Sequence, residues 1–379
     1  MSARRLLQLV ALIGALGVVA TFATGDQQRF WANWVVWVLW LATIGLGALF
    51  LVALEYLVKA RWSVPVRRVA ERVASLLLLV APLAIIALAS LPTLFHAWVG
   101  PEAAQRSAVA AKAAWLNVPF FVVRLLLCLA AWLWSYRVFA VGSRAQDSTH
   151  DPRFNVRARG FAPVFMFLFA VTVTVLAFDW ISSLQPEWYS DVLGVYIFAG
   201  AFMAGLAAIA LAALSLKARG RLPDVRSDHL YNLGGLMFAF TVFYAYIAFA
   251  QYMLMWYADL PEEVFWYKQR IAGGWLAVAL LLVLCHFLIP FFALITRDAK
   301  GDPRRLRWVA VLVLAAHYLD LYWLIFPALG RGVLFSWPEI SFAMLFAGSG
   351  LLWLARAETR GEDMPVGDPF LAEALEFRL

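Results

Sequence analysis

The chain has 379 residues, of which 64% are hydrophobic and 15% are charged, and its formal net charge is +7 at pH 7. Soluble globular domains are about 45–50% apolar and about 25% charged, so this composition excludes a soluble domain. The segment 34–54 carries no charged side chain, and similar segments recur along the chain. Because about 20 apolar helical residues cross the ~30 Å hydrocarbon core of a bilayer, the sequence predicts an all-α polytopic membrane protein.

Ten apolar segments follow one another with short connections. Every backbone polar group inside lipid must be hydrogen-bonded within the protein, so each segment is predicted to be a transmembrane helix. We number them spans 1 to 10, at about residues 6–23, 32–57, 74–97, 115–140, 161–183, 191–215, 231–257, 272–296, 308–328 and 336–356. Together they form one predicted transmembrane domain over residues 1–357, and residues 358–379 form a polar tail.

Span 1 admits two interpretations. Arg4 and Arg5 followed by an apolar run are typical of a signal peptide that is removed from the mature protein. The apolar run continues to about residue 23, which is long for a signal peptide. We therefore favour a retained helix.

Lysine and arginine are distributed unevenly over the two sides of the spans. If the N-terminus lies inside, 24 of the 31 Lys and Arg residues fall in inside segments and six in outside connections. Cytoplasmic connections of membrane proteins carry such an excess, so both termini are predicted to be cytoplasmic. The basic character therefore reflects membrane topology, and we predict no nucleic-acid partner.

Three ionisable residues within the spans have structural explanations. Glu55 lies one turn before Lys59 at the inner end of span 2, where we expect an interfacial ion pair. Glu339 ends a Ser-Trp-Pro-Glu segment that is typical of a capping box at the start of span 10. His286 precedes Pro290 in span 8 and is expected to bond a carbonyl that the proline frees.

Other polar side chains within the spans have no such explanation. An ionisable side chain at the bilayer centre costs about 2.5–3.5 kcal/mol on insertion scales, so these residues are candidates for function. The predicted topology places nearly all of them in the outer half of the membrane. The candidates are His96 in span 3, Arg124 in span 4, Asp179 in span 5, Tyr244 and Gln251 in span 7, and His317 and Asp320 in span 9.

Five helices thus bring acid, base and hydrogen-bonding groups to a similar depth, which predicts a polar cavity. Carboxylates, imidazoles and a tyrosine at low dielectric are suited to taking and passing protons, because burial and a nearby arginine shift their pKa values. Such groups also suit the oxidation of a quinol, which releases two protons at its ring. A proton path and a quinone site therefore both remain open.

The sequence carries no motif for a cofactor. Cys128 and Cys285 lie far apart in apolar segments, without the CxxC or CxxCH spacing of iron–sulfur or attached haem sites. His96 and His317 are the one pair of histidines that could formally hold a transmembrane haem. We therefore predict that this chain alone binds no cofactor or metal, and that any redox role requires a partner with metal centres.

Four segments resemble signatures of the NrfD-like membrane subunits of alternative complex III, and the ActF-type subunit most. They are FDWISSLQPEWYS at 178–190, DHLYNLGG at 228–235, QYMLMWYADLPEE at 251–263 and HYLDLYW at 317–323. The resemblance covers spans 5 to 9 and the ten-span plan. It implies two four-helix bundles, spans 2–5 and 6–9 (about residues 32–183 and 191–328), with spans 1 and 10 peripheral.

The resemblance also implies a function and partners. Such complexes, in the bacterial inner (cytoplasmic) membrane, oxidise quinol and pass electrons to cytochrome c or to a terminal oxidase. The implied partners are a second NrfD-like subunit, an iron–sulfur subunit and multihaem cytochrome c subunits, which carry the clusters and haem c. Quinol binding is assigned in such complexes to the other NrfD-like subunit, so the polar residues here are expected in a proton path, a quinone site or a structural role.

Two alternatives remain. A secondary transporter would have broken helices, inverted repeats and a site at the bilayer midplane, whereas the polar residues here lie in the outer half. The chain would otherwise anchor a different redox enzyme of the wider NrfD-like family.

Overall fold

The computed structural model describes residues 3–101, 105–359 and 361–379. Within these residues the chain forms helices and no β-strand, and ten helices are long and apolar enough to span a membrane, so the predicted all-α polytopic fold is confirmed. In chain order the spans are Arg4–Ala23, Gln27–Val58, Val64–Leu94, Val118–Thr149, Arg153–Leu184, Leu193–Ala218, Ser227–Ala258, Trp275–Leu294, Pro303–Leu329 and Trp337–Ala357.

Spans 3 and 4 are longer than predicted at the end of the molecule that carries both termini, which we call the terminal face. Span 3 begins at Val64 instead of about residue 74, and span 4 ends at Thr149 instead of about 140. A prediction from hydropathy ends each span at the first charged residue. In the structure these charged residues are paired with one another, so the helices continue past them. Arg68 donates to Asp147 at 2.5 Å and to Glu71 at 3.1 Å.

Spans 2 and 6 form the centre of the molecule and cross in close contact. A Cβ atom added to Gly47 of span 2 would lie 2.1 Å from the carbonyl oxygen of Ala201 in span 6. One added to Gly205 would lie 2.6 Å from the carbonyl carbon of Gly47. Small residues allow helix backbones to approach this closely in membranes, where close packing drives helix association.

Spans 2 and 6 each belong to a group of four helices, spans 2–5 and spans 6–9. Span 2 contacts spans 3 and 5, and span 4 packs against both of them. Span 6 contacts spans 7 and 9, and span 8 packs against both of those. This grouping is the one that the resemblance implies.

Spans 1 and 10 pack against each other at the periphery. A Cβ atom on Gly14 would lie 2.4 Å from the backbone nitrogen of Leu345, and one on Gly17 would lie 2.2 Å from Oγ of Ser341. Most other side chains of span 1 are exposed. Span 1 is thus fitted to span 10 along one narrow face.

The tail lies along the terminal face and is held there by ion pairs. Asp363 accepts hydrogen bonds from Arg72 at 2.6 Å and from Arg221 at 2.7 Å. Asp368 is buried and pairs with the buried Arg67. The tail therefore connects the start of span 3 to the connection between spans 6 and 7.

The expected ion pair between Glu55 and Lys59 does not form. Glu55 is buried, whereas the Lys59 side chain is exposed. Lys59 takes a left-handed conformation with φ 56° that ends the helix, and this turns its side chain away.

A short helix, Pro261–Ile271, lies between spans 7 and 8 on the face opposite the termini. Asp259, just before this helix, ends span 7 in a left-handed conformation. Arg270 holds this helix down by donating to the carbonyl oxygen of Leu324 at 2.7 Å, with its guanidinium 3.5 Å from the centre of the Trp266 ring. Burial without a carboxylate partner lowers the pKa of Arg270.

Candidate functional site

Two separate clusters contain five of the seven polar residues predicted as candidates, and we name them after their carboxylates. The Asp179 cluster comprises Trp115, Arg124 and Asp179, and it connects spans 4 and 5. The Asp320 cluster comprises Tyr196, Tyr244, His286, His317 and Asp320.

Asp179 is held in a two-point ion pair. Arg124 donates from Nε to Oδ2 at 2.8 Å and from Nη2 to Oδ1 at 2.9 Å. Trp115 donates its indole N–H to Oδ1 at 3.0 Å. Both carboxylate oxygens therefore already accept hydrogen bonds from strong donors.

Arg124 is equally well satisfied. Its Nη1 donates to the carbonyl oxygen of Trp115 at 3.0 Å, and its guanidinium lies 4.1 Å from the centre of the Trp115 ring and 4.3 Å from that of Phe120. Asn117 caps span 4 by accepting a hydrogen bond from the backbone N–H of Phe120, which fixes the turn before Arg124. A buried pair with complete hydrogen bonding and aromatic cover is suited to holding two helices together.

The Asp320 carboxyl group has a different environment. The Tyr196 hydroxyl donates to its Oδ1 at 2.5 Å, and the hydroxyls of Tyr196 and Tyr244 lie 2.6 Å apart. All three side chains are buried, and Asp320 has no ion-pair partner within the described ranges. A carboxyl group and two phenols thus form a continuous hydrogen-bonded row without a neutralising cation.

Two histidines lie beside this row, towards the middle of the molecule. His317 lies one turn before Asp320, and its Nε2 is 2.8 Å from Oγ1 of Thr43, about halfway along span 2. The ring centre of His286 is 4.2 Å from that of Tyr244 and 6.2 Å from that of His317. Spans 2, 6, 7, 8 and 9 all contribute to the cluster.

His286 is the least satisfied of these groups. It is fully buried, and neither ring nitrogen has a hydrogen-bond partner in the described part of the chain. It lies within a π-helical segment, Val283–Leu288, which places it opposite the Tyr244 ring. Such segments are frequent at functional sites. The carbonyl bond expected from the nearby proline is not formed.

Space for the imidazole of His317 is provided by span 6. A Cβ atom on Gly200 would lie 3.3 Å from Cε1 of His317 and 3.7 Å from Cε2 of Tyr244. Gly200 follows Tyr196 by one turn, so the two residues share a face of the helix. Because Gly200 has no side chain, the rings of His317 and Tyr244 can approach each other one turn along span 6 from Tyr196.

Of the seven candidates predicted from the sequence, five therefore fall into the two clusters, and two, Gln251 and His96, lie outside them. The structure pairs Arg124 with Asp179, and it groups Tyr244, His317 and Asp320. Gln251 is buried two turns beyond Tyr244, with its Oε1 unbonded in the described structure. His96 is exposed and bonds only locally, to the carbonyl oxygen of Thr93 at 3.3 Å. His96 and His317 are not brought together as a pair.

Sequence reasoning missed Tyr196 and Thr43 and assigned His286 to a structural role. A tyrosine near the end of a span is typical of an interfacial belt, and a threonine within a span commonly bonds its own helix. The one available signal was the shared helical face of Tyr196 and Gly200. Glu339 forms the predicted capping box with Ser336 and also accepts two hydrogen bonds from Arg29.

Comparison with known proteins adds no family. No protein-family model matches the chain, and no curated protein matches it. The fold and composition establish a polytopic all-α membrane protein.

Proposed function

We propose that the chain is an integral membrane subunit of a quinol:cytochrome c oxidoreductase of the alternative complex III type, and that it carries protons through the Asp320 cluster. Complex membership is proposed from the sequence resemblance in spans 5 to 9. The role of this chain is proposed from the hydrogen-bonded row of Asp320, Tyr196 and Tyr244, with two buried histidines beside it. Chains of acidic and histidine side chains are the usual proton relays of membrane proteins.

The observation that carries the proposal is that Asp320 has no counter-cation among the residues that the structure describes. A carboxyl group without an arginine or lysine partner can exchange a proton without breaking an ion pair. Its neighbours are hydroxyl and imidazole groups, which both donate and accept protons. The row begins at Tyr196, one turn into span 6 from the opposite face. His317 lies one turn before Asp320, and its Nε2 is 2.8 Å from Oγ1 of Thr43 in the middle of span 2.

The Asp179 cluster is assigned to structure within this proposal. A base that receives a proton from quinol needs a free acceptor atom, and both oxygens of Asp179 are already engaged. We therefore place quinol oxidation, the iron–sulfur clusters and haem c in partner subunits: a second NrfD-like chain, an iron–sulfur subunit and multihaem cytochromes c. In the bacterial inner membrane, electrons would then pass to cytochrome c or a terminal oxidase.

The first experiment is a pull-down of the full chain in a gentle detergent, with haem staining and mass spectrometry of the proteins that accompany it. Co-purification of multihaem c-type and iron–sulfur subunits is the expected result. Co-purification with a different redox enzyme would instead indicate that the chain anchors that enzyme in the membrane. A cofactor-free oligomer would overturn the proposal and make substrate transport the next activity to assay.

A further inference from the structure

A cavity of about 370 Å³ opens on the opposite face beside the Asp179 cluster. It lies between the connection before span 4, the end of span 5 and the start of span 6. Its walls are mainly apolar, and two charged side chains of opposite sign lie on them. The lining includes Lys112, Trp115, Phe178, Ser182, Tyr189 and Asp191.

The Lys112 ammonium group has donors to spare. It donates to the carbonyl oxygen of Pro186 at 2.6 Å and lies 5.4 Å from the centre of the Tyr189 ring. An ammonium group has three donors, so two are left for a ligand. Glu187, whose charge acts on Lys112, pairs with Arg106 at 3.3 Å. Partial burial lowers the pKa of Lys112, and the charge of Glu187 opposes this shift.

Asp191 supplies the opposite charge on the same cavity. It is exposed and makes no side-chain hydrogen bond or ion pair within the described structure. The cavity therefore presents a free cation and a free anion to one ligand. This charge arrangement suits a zwitterion better than a simple anion.

An apolar stripe leads from the cavity along the membrane-facing side of span 5. Phe178 forms part of the cavity wall, and Val171, Phe167 and Val164 follow it at helical spacing on one face. These three side chains are 46%, 71% and 46% exposed. An exposed apolar stripe at this depth is the surface on which an acyl chain packs.

From this arrangement we propose that the cavity binds a phospholipid with a phosphoethanolamine headgroup. The phosphate accepts hydrogen bonds from Lys112, the lipid ammonium group donates to Asp191, and an acyl chain lies along Val171, Phe167 and Val164. A quinone carbonyl could accept a hydrogen bond from Lys112, but a quinone has no cationic group and would leave Asp191 without a partner. A free phosphate ion would use neither Asp191 nor the stripe.

The test is native mass spectrometry of the full-length chain after incubation with equal amounts of phosphatidylethanolamine, phosphatidylcholine and phosphatidylglycerol. One phosphatidylethanolamine per chain is expected to stay bound. Lys112→Gln should lower its retention about tenfold, because a hydrogen bond to a charged group is lost. Lys268→Gln, which removes an exposed cation from the same face, should leave retention unchanged. Lys112→Arg keeps the charge and should restore retention.

Two further measurements identify the groups involved. Asp191→Asn should remove the preference for phosphatidylethanolamine over the other two lipids, while Asp259→Asn, at another exposed acid of this face, should not. Glycerophosphoethanolamine and inorganic phosphate lack acyl chains and should fail to displace the lipid at millimolar concentration.

Several results would overturn the proposal. Equal retention of the lipid by Lys112→Gln and Lys268→Gln would show that Lys112 does not bind the phosphate. Equal binding of phosphatidylcholine would show that the lipid ammonium group does not donate to Asp191. Displacement of the lipid by inorganic phosphate would identify a simple anion site. Recovery of a quinone from the cavity in place of lipid would assign it to a redox ligand.

Discussion

The two buried aspartates differ in what surrounds them, although both follow apolar stretches near the ends of their spans. Asp179 is neutralised by Arg124 and accepts a hydrogen bond from Trp115, while Asp320 bonds Tyr196 and has no cation beside it in the described structure. An ion pair fixes the charge of its carboxylate, whereas a carboxyl group among hydroxyls is free to change protonation. The same residue type is thus expected to have two different roles.

Asp320→Asn is expected to lower the turnover of the purified complex by about 10²-fold, the lower range for loss of a positioned proton-transfer group. The amide matches the carboxyl in shape, so subunit composition should stay unchanged. Quinol:cytochrome c activity and quantitative mass spectrometry of the subunits check the two expectations. Loss of subunits together with activity would assign Asp320 to structure.

Asp179→Asn should have the opposite outcome. It leaves Arg124 buried without a carboxylate, and loss of one partner from a buried ion pair costs about 3–5 kcal/mol. The yield of assembled complex should fall, while turnover per assembled complex stays near that of the parent. A full yield of complex with low turnover would instead place Asp179 in the proton path.

At the scale of single residues, the sequence predicted which polar side chains belong to the candidate site. It did not predict which of these side chains contact one another. Insertion cost singles out Arg124, Asp179 and Asp320 wherever the helices point. Which of them meet depends on the rotation of each helix about its axis, and that is set by packing against neighbours. Tyr196 and Thr43 were missed for this reason, since each is unremarkable in sequence until it faces a partner.

At the scale of the helix, the crossing of spans 2 and 6 decides how close the two bundles come. Gly47 and Gly205 meet there with no room for a side chain. Packing at this crossing brings Thr43, one turn from Gly47, to His317 on span 9. The packing of the central helices therefore positions part of the candidate site.

Gly47→Ala is expected to destabilise the protein by about 1–3 kcal/mol, as overpacking does in a close-packed interior. The added Cβ would lie 2.1 Å from the Ala201 carbonyl oxygen, so the backbones must separate. Thermal unfolding of the full chain in detergent measures the effect. The control is Gly235→Ala in span 7, where a Cβ atom has no neighbour within 4 Å and no loss is expected. Equal unfolding temperatures for the two variants would contradict the close crossing.

Span number and approximate position were predictable because they follow from apolar length alone. The ends at the terminal face were not, since hydropathy treats Arg67, Arg68 and Glu71 as solvated while the structure buries all three. Their burial depends on partners distant in sequence. The expected Glu55–Lys59 pair was wrong for another reason, because Lys59 ends the helix in a left-handed conformation.

On the scale of the whole molecule, the tail connects parts of the chain that are far apart in sequence. Asp363 contacts both Arg72 and Arg221, and Asp368 contacts Arg67 and Asn155. His229 completes the attachment by donating from Nε2 to the Ala374 carbonyl oxygen at 2.9 Å. These contacts involve both four-helix groups, so the tail contributes to their alignment.

Asp368→Ala should release the tail from the terminal face. It leaves Arg67 buried without its main partner, at a cost of about 3–5 kcal/mol for a broken buried pair. Hydrogen exchange of residues 361–379 should rise by at least tenfold. Glu376→Ala removes an exposed acid from the same tail and serves as the matched control. Unchanged exchange in Asp368→Ala would mean that the remaining contacts hold the tail without this ion pair.

The attachment of the tail has a consequence for biosynthesis. Arg67 precedes its partner Asp368 by 301 residues, which is nearly the whole chain. At about 5–20 residues per second, translation leaves this arginine without its aspartate for roughly 15–60 s while the intervening spans are inserted. This ion pair therefore forms only after translation has passed residue 368, so a nascent chain that stops earlier keeps Arg67 without Asp368.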